Sequence, residues 1–196
     1  GLGVMLRRYG LPVFATAKTI DAVLDSRYIG KVDKDLFHPI EADHPFQLDD
    51  ITVEASHVWH DAADPVCYSF YSEGFKASIA TDLGDYDEYL VEKIRDSHIL
   101  FVEANHDVNM LQVGSYPYYL KRRILGDHGH LSNERCAQLI EDTVTEKTKK
   151  VYLGHLSKEN NFAELAYETV KVALTKPDFL MEVAKRDSIS SITKVS

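Results

Sequence analysis

An α/β protein with α+β-type layering, in which helices cover sheets of mixed parallel and antiparallel strands, is the fold class this sequence predicts. Three observations carry it. Short apolar runs of strand length alternate with stretches of helical period along most of the chain. The middle, from Ile51 to Ala80, is rich in hairpin signals rather than helices. No repeat, low-complexity tract or linker divides the 196 residues, so the chain reads as one layered domain over 1–196.

The elements follow in order. Leu2, Val4, Met5, Leu6 and Tyr9 form a short helical pattern stopped at Gly10. Pro12 to Thr16 is a short strand, and Thr16 or Thr19 caps a helix ending near Tyr28. Gly30 to Pro45 is polar and loop-like, with room for one short strand. Ile51-Thr52-Val53, Val66 to Tyr71 and Phe75 to Ala80 are strands, the last two joined by a Glu73-Gly74 turn. Tyr86 to Arg95 is a helix and Ile99 to Val102 a buried strand. Asn109 to Leu125 is helical in pieces, broken near Gly114 and Pro117. Ser132 to Val144 is a capped helix with Cys136, Leu139, Ile140 and Val144 on one face. Val151 to Leu153 is a strand, Ala163 to Leu174 a helix, and Phe179 to Val183 with Ile189 to Ile192 a closing hairpin.

Composition narrows the class. Hydrophobic residues at 44% and charged residues at 27% give a globular chain, not a disordered one. No apolar run approaches the roughly 20 residues that cross a bilayer. Two cysteines make no disulfide framework, which points to a reducing, cytoplasmic setting. A net charge of −9 excludes a non-specific nucleic-acid coat, which would be basic. It leaves a nuclease open, because bound metal brings its own positive charge.

Metal-competent side chains gather at the ends of the strands. The clusters are SHVWHDAADP (56–65), ATDLG (80–84), VEANHD (102–107), GDHGHLSN (126–133) and LGHLS (153–157). Imidazole and carboxylate donors suit Zn²⁺ or Mn²⁺, and loops let distant residues converge on one ion. Each cluster also has an ordinary reading. Asp82 could cap a helix, Asp64-Pro65 start a turn, and Ser132-Asn133 cap the helix that follows. His38, His44 and His98 stand apart and receive only the ordinary reading.

The order of HDAADPVCYSF, ATDLGDY, FVEANHD, YPYYLKRRI, GDHGHLSN and LGHLSKENN resembles the metallo-β-lactamase superfamily, and within it the YycJ/WalJ (VicX) branch. The resemblance runs from Gly1 to about Leu174. It implies an αββα sandwich with a two-metal site on one edge. On it, His60, Asp82 and His155 match metal ligands, with Asp82 the carboxylate shared by both ions. His130 matches a proton donor or phosphate contact, supported by Glu103. The relatives' histidine before that glutamate is Val102 here, and His106 stands nearby to compensate. The resemblance further implies a metal-dependent phosphodiesterase, a DNA exonuclease that uses hydroxide activated by two divalent ions, Zn or Mn.

The signature H-x-H-x-D-H of the superfamily is missing from the 196 residues, and Gly1 opens the chain without an initiator methionine. The expectation is an N-terminally truncated domain with an incomplete ligand set, lacking roughly a quarter of an ordinary domain. Such a chain alone should bind metal poorly and be inert.

For DNA, Tyr116, Tyr118 and Tyr119 beside Lys121, Arg122 and Arg123 offer rings for stacking and cations for phosphates, with His128 and Ser157 as further substrate contacts. An amphipathic helix with solvated basic residues is the plain alternative for that run. Two competing functions remain: a small-molecule metallo-hydrolase acting on cyclic nucleotides, thioesters or lactams, and a degenerate, non-catalytic regulatory member.

Overall fold

The computed structural model describes residues 1–175 and 178–194. The first unit is small. Helix α1 (Leu2–Tyr9) ends at Gly10 in the left-handed conformation (φ 59°), and strand β1 (Val13–Thr16) leads into α2 (Ala17–Asp25). β1 pairs in parallel with β2 (Phe37–Ile40). Leu6, Ile20 and Phe37 make the core of this part. Helix α2 stops three residues before the expected Tyr28, and Thr16 stands at its N-cap position without a side-chain bond to the helix backbone. The Thr16 hydroxyl bonds instead to Thr19 and to the carbonyl of Asp64.

The main body is a seven-stranded sheet in sequential order: β3 (Phe46–Leu48), β4 (Ile51–His57), β5 (Val66–Ser72), β6 (Phe75–Ala80), β7 (Ile99–Glu103), β8 (Lys150–Gly154) and β9 (Leu180–Val183). β3 to β6 pair antiparallel, and β6 to β9 pair parallel. Glu73 (φ 50°) and Gly74 (φ 82°) both hold positive φ, as a two-residue hairpin turn between right-twisted strands requires.

Helices α3 (Glu88–Ile94), α6 (Asn133–Thr143) and α7 (Ala163–Ala173) supply the layer over this sheet. Alternation along the strands sends Leu100, Val102, Val151 and Leu153 into the core they share with Leu90, Ile94, Leu139 and Ile140. Tyr68, Phe70, Phe101 and Tyr152 alternate to the opposite face and are only half-buried. The mixed α/β layering expected from the sequence is present.

Two expectations fail. Ile189 to Ile192 form no strand; both isoleucines are exposed, and the segment is met instead by the Tyr152 hydroxyl, which donates to the Ser191 carbonyl. β9 therefore lies parallel to β8 after the α7 crossover and does not close a hairpin. β3 was also not expected, because three residues beside a polar Asp49-Asp50 turn carry too little pattern.

Direction matters more than strand count. β4 and β6 are each antiparallel to β5, so β4, β6, β7, β8 and β9 all run the same way. Their C-terminal ends share one rim, where side chains far apart in sequence can meet.

Ile140 is fully buried between α6 and the sheet. Ile140→Ala should lower unfolding free energy by about 2–5 kcal/mol, read by urea denaturation with an unchanged m-value. A loss below about 1 kcal/mol would mean that the α6–sheet contact is not the packed core described.

Candidate metal centre

Three rim loops and the end of one strand carry four of the candidate ligands. The loop after β4 brings His60, the loop after β6 brings Asp82, β7 ends on Glu103, and the loop after β8 brings His155. His130 arrives from the segment before α6, which Ser132 caps by accepting from the Arg135 N–H. Donor atoms from Asp82, Glu103, His130 and His155 all lie within 4.8 Å of one another.

His60 joins them on the Asp82 side. Its Nε2 is 3.7 Å from Asp82 Oδ1, and its Nδ1 is 2.9 Å from the Gly129 carbonyl. A carbonyl only accepts, so the Nδ1 proton is committed there and Nε2 keeps its lone pair toward Asp82. His155 Nε2 is 3.5 Å from the same Asp82 oxygen. His130 Nδ1 lies 3.8 Å from it as well, so three sequence-distant imidazoles surround Asp82 Oδ1. These separations are too long for hydrogen bonds. They match the spacing of about 3.4 Å that two donors take when each lies about 2.1 Å from one tetrahedral ion.

Glu103 sits beneath them, fully buried. Its carboxylate accepts from the backbone N–H groups of Asp82 and Leu83 and from His130 Nδ1 at 2.8 Å, with His155 Nδ1 at 3.6 Å. Burial raises the carboxyl pKa, but the two imidazoles outweigh it, and the group lies below its ordinary value. The same contact with Glu103 lifts the His155 imidazole above its ordinary value.

Asp82 and His155 both hold positive φ (56° and 55°), a conformation costly for residues with a Cβ. Each is held from outside. Glu103 fixes the Asp82 N–H, and the Asn105 amide donates to the His155 carbonyl at 2.9 Å. Asn105 is tied in turn: its carbonyl accepts from Ser157 N–H and from the Asn161 amide, which also bonds Asn133. Asp82 caps no helix; Asp87 fills that position for α3.

The remaining sequence candidates divide. His106 is buried to 1% exposure, neither ring nitrogen has a partner among the described residues, and burial depresses its pKa to about 4. It is a neutral ring in the packing behind the rim and lines neither cavity beside the metal group. His128 is exposed and stacks on Trp59 at 6.2 Å between ring centroids. Ser157 lies on the rim between two cavities, its hydroxyl accepting from Asn160 N–H.

The basic run in α5 (Tyr118–Ile124) splits three ways. The Lys121 ammonium donates to the carbonyls of Gln112 and Gly114, closing the end of α4 (Val108–Val113). Arg122 is exposed. Arg123 forks onto Asp61, which holds that carboxyl below its usual range, and faces a cavity of about 300 Å³ shared with Tyr116, His60 and His130.

Sequence reasoning does not single out Asn105, Asn161 or Asp61. Their signals were present, in VEANHD, KENN and WHDAADP, but an amide that holds a backbone carbonyl looks in sequence like any loop asparagine.

Close backbone packing sets the rim. A Cβ on Gly84 would lie 2.3 Å from the Gly129 N and 2.4 Å from the Gly126 carbonyl oxygen. Gly84 N–H also donates to the Trp59 carbonyl, so the His60, Asp82 and His130 loops meet at this glycine.

Comparisons with known proteins follow the same lines. The family described as "Beta-lactamase superfamily domain" matches residues 1–156. The chain is 42% identical over 178 residues to exodeoxyribonuclease WalJ of Streptococcus pneumoniae, covering 91% of this chain and 66% of that protein. It is 40% identical over 179 residues to exodeoxyribonuclease YycJ of Bacillus anthracis, covering 91% and 67%. The chain therefore spans about two thirds of these relatives' length. Among solved structures, the metallo-beta-lactamase fold protein YhfI from Bacillus subtilis superposes with TM-score 0.61 at 13% identity, covering 89% of this chain and 62% of that one. Zn²⁺-bound PqqB from Methylobacterium extorquens gives 0.59 at 16%, covering 93% and 63%.

Gly84→Ala should cost about 1–3 kcal/mol and displace Gly129, whose carbonyl orients His60. Thermal melting and Zn²⁺ titration of wild type and variant check it: both stability and affinity should fall. Unchanged affinity with lowered stability would separate the glycine from the site.

Proposed function

The chain belongs to the beta-lactamase superfamily, and from that premise we propose that it carries the hydrolytic site of a metal-dependent phosphodiesterase, a DNA exonuclease. One observation supports the reading most: three imidazoles and two carboxylates from five sequence-distant segments meet at one rim, two of them on strained backbone. The names of the two relatives, both exodeoxyribonucleases, supply the substrate class.

In this reading His60, Asp82 and His155 would hold divalent ions, Zn or Mn. The superfamily fold implies divalent metal, and the donor set fits it. Such ions would supply charge for the phosphate oxygens and an activated water near neutral pH.

The chain's own residues do the rest. Gly129 keeps His60 in the tautomer that offers Nε2. Glu103 accepts the His130 Nδ1 proton, leaving the opposite nitrogen of that ring to meet the phosphodiester. His130 then serves as proton donor to the leaving oxygen, or as phosphate contact, and Glu103 holds its ring in place. His106, whose ring nitrogens hydrogen-bond to neither Glu103 nor His130, is given no role in this reading. Arg123 and Tyr116 face the adjoining cavity, where a phosphate and a base of the strand would lie.

The test uses the full product of the gene that encodes this chain, with linear DNA and Mn²⁺ or Zn²⁺. Asp82→Asn and His155→Ala should each lower hydrolysis by roughly 100-fold or more, at or beyond the cost of losing an outer-shell ligand partner, and chelator should abolish it. His130→Gln should slow turnover while metal content stays unchanged. Wild-type rates in Asp82→Asn would overturn the assignment. Hydrolysis of small phosphodiesters without any of DNA would favour the small-molecule reading.

A further inference from the structure

A second, larger cavity adjoins the metal group on its His155 side. It has a volume of about 790 Å³ and runs from His155 and Ser157 across Phe162 to the segment after β9. We infer that this cavity binds the terminal nucleoside of a single strand, with its base on Phe162 and the adjacent phosphate on Lys158. The inference rests on the nuclease reading above and adds a site for the strand end.

Four observations carry it. The first is Phe162, which is 50% exposed at the start of α7 although it is a large aromatic, and it faces the cavity rather than the core. An exposed ring in a concavity is a stacking platform that serves any base. The second is position. Asn105, Ser157 and Lys158 line this cavity and also the smaller one beside Arg123, so the two hollows flank the metal group and Lys158 stands on the wall between them. A strand crossing the rim would place a phosphate there.

The third is charge. The protein carries a net −9, yet Lys158, Lys185 and Arg186 all line this cavity, against Asp187 as the one acid of its lining. Lys158 and Lys185 have no ion-pair partner among the described residues. Cations gathered beside a metal group in an otherwise acidic protein suit a polyanion. The fourth is the wall itself. Arg186 donates to the Leu156 carbonyl, which latches the segment after β9 to the loop bearing His155. The cavity and the metal group thus share one support.

The volume lies within the range of about 300–1,000 Å³ that small-ligand sites occupy. It suits one nucleotide with its neighbour's phosphate and would not enclose a duplex.

Fluorescence anisotropy tests this with a labelled oligothymidylate of about 12 nucleotides, within the site sizes of single-strand binders, in chelator so that metal plays no part. Phe162→Ala should weaken binding about 5-fold or more, the cost of one lost base–ring stack, and Phe162→Tyr should retain it. Lys158→Ala and Lys185→Ala should each flatten the dependence of log affinity on log salt by about 0.7, one phosphate contact on a single strand. Melting temperatures report folding, and the two exposed lysines keep the test open if Phe162→Ala destabilises α7. Wild-type affinity and salt slope in all of these variants, with the wild type binding, would overturn this cavity and leave the nuclease reading standing. A wild-type protein that binds no oligonucleotide in a salt-dependent way would overturn both.

Discussion

A single buried carboxylate organises the rim. Glu103 lies at the end of a central strand with no exposure to solvent, where an unpaired charge would cost several kcal/mol. It is compensated by two backbone N–H groups of the Asp82 loop and by the His130 imidazole, with His155 close by. Each partner comes from a different segment. Satisfying one charge therefore fixes the relative positions of three loops that sequence separates by up to seventy-odd residues. Removing the carboxylate would release all three together, because a half-satisfied buried network is worse than none.

The backbone continues what Glu103 begins. Residues 104 to 107 run on past β7 and exchange bonds on both sides: Ala104 N–H to Gly154, Asn105 N–H to Leu131, Asn133 N–H to His106, and Ser157 N–H to Asn105. This short extension of the sheet stitches the His130 segment to the His155 loop. It explains how His155 can sit at positive φ without relaxing, as the Glu103 bond does for Asp82. The strain is local, and the bonds that oppose it come from elements anchored in the main core.

Charge is distributed to a purpose that composition conceals. The chain carries a net −9, yet the linings of the two rim cavities hold Arg123, Lys158, Lys185 and Arg186 against Asp61 and Asp187. Adjacent basic residues also serve different ends. Lys121 closes the end of α4, whereas Arg123, two positions on, turns to Asp61 and the site. Position on the helix, not residue type, decides which.

Much of this was legible in the sequence. Apolar period fixed most of the elements, because 2.0 and 3.6 residue repeats are local properties, and the Glu73-Gly74 turn followed from its backbone needs. The ligand types at strand ends, and their order, carried the resemblance that named His60, Asp82, His130 and His155. Tertiary structure decided what local pattern cannot encode. Whether Ile189 to Ile192 pairs with the outer edge of β9 or stays exposed depends on contacts made outside the segment, here those of Ser191 with Tyr152 and Glu182. His106 and His130 look alike in sequence; one is sealed behind the rim and the other meets Glu103, because only folding assigns each ring its neighbours. Residue identity determines which chemistry is possible, and burial and distance, set by the whole chain at once, determine which side chain performs it.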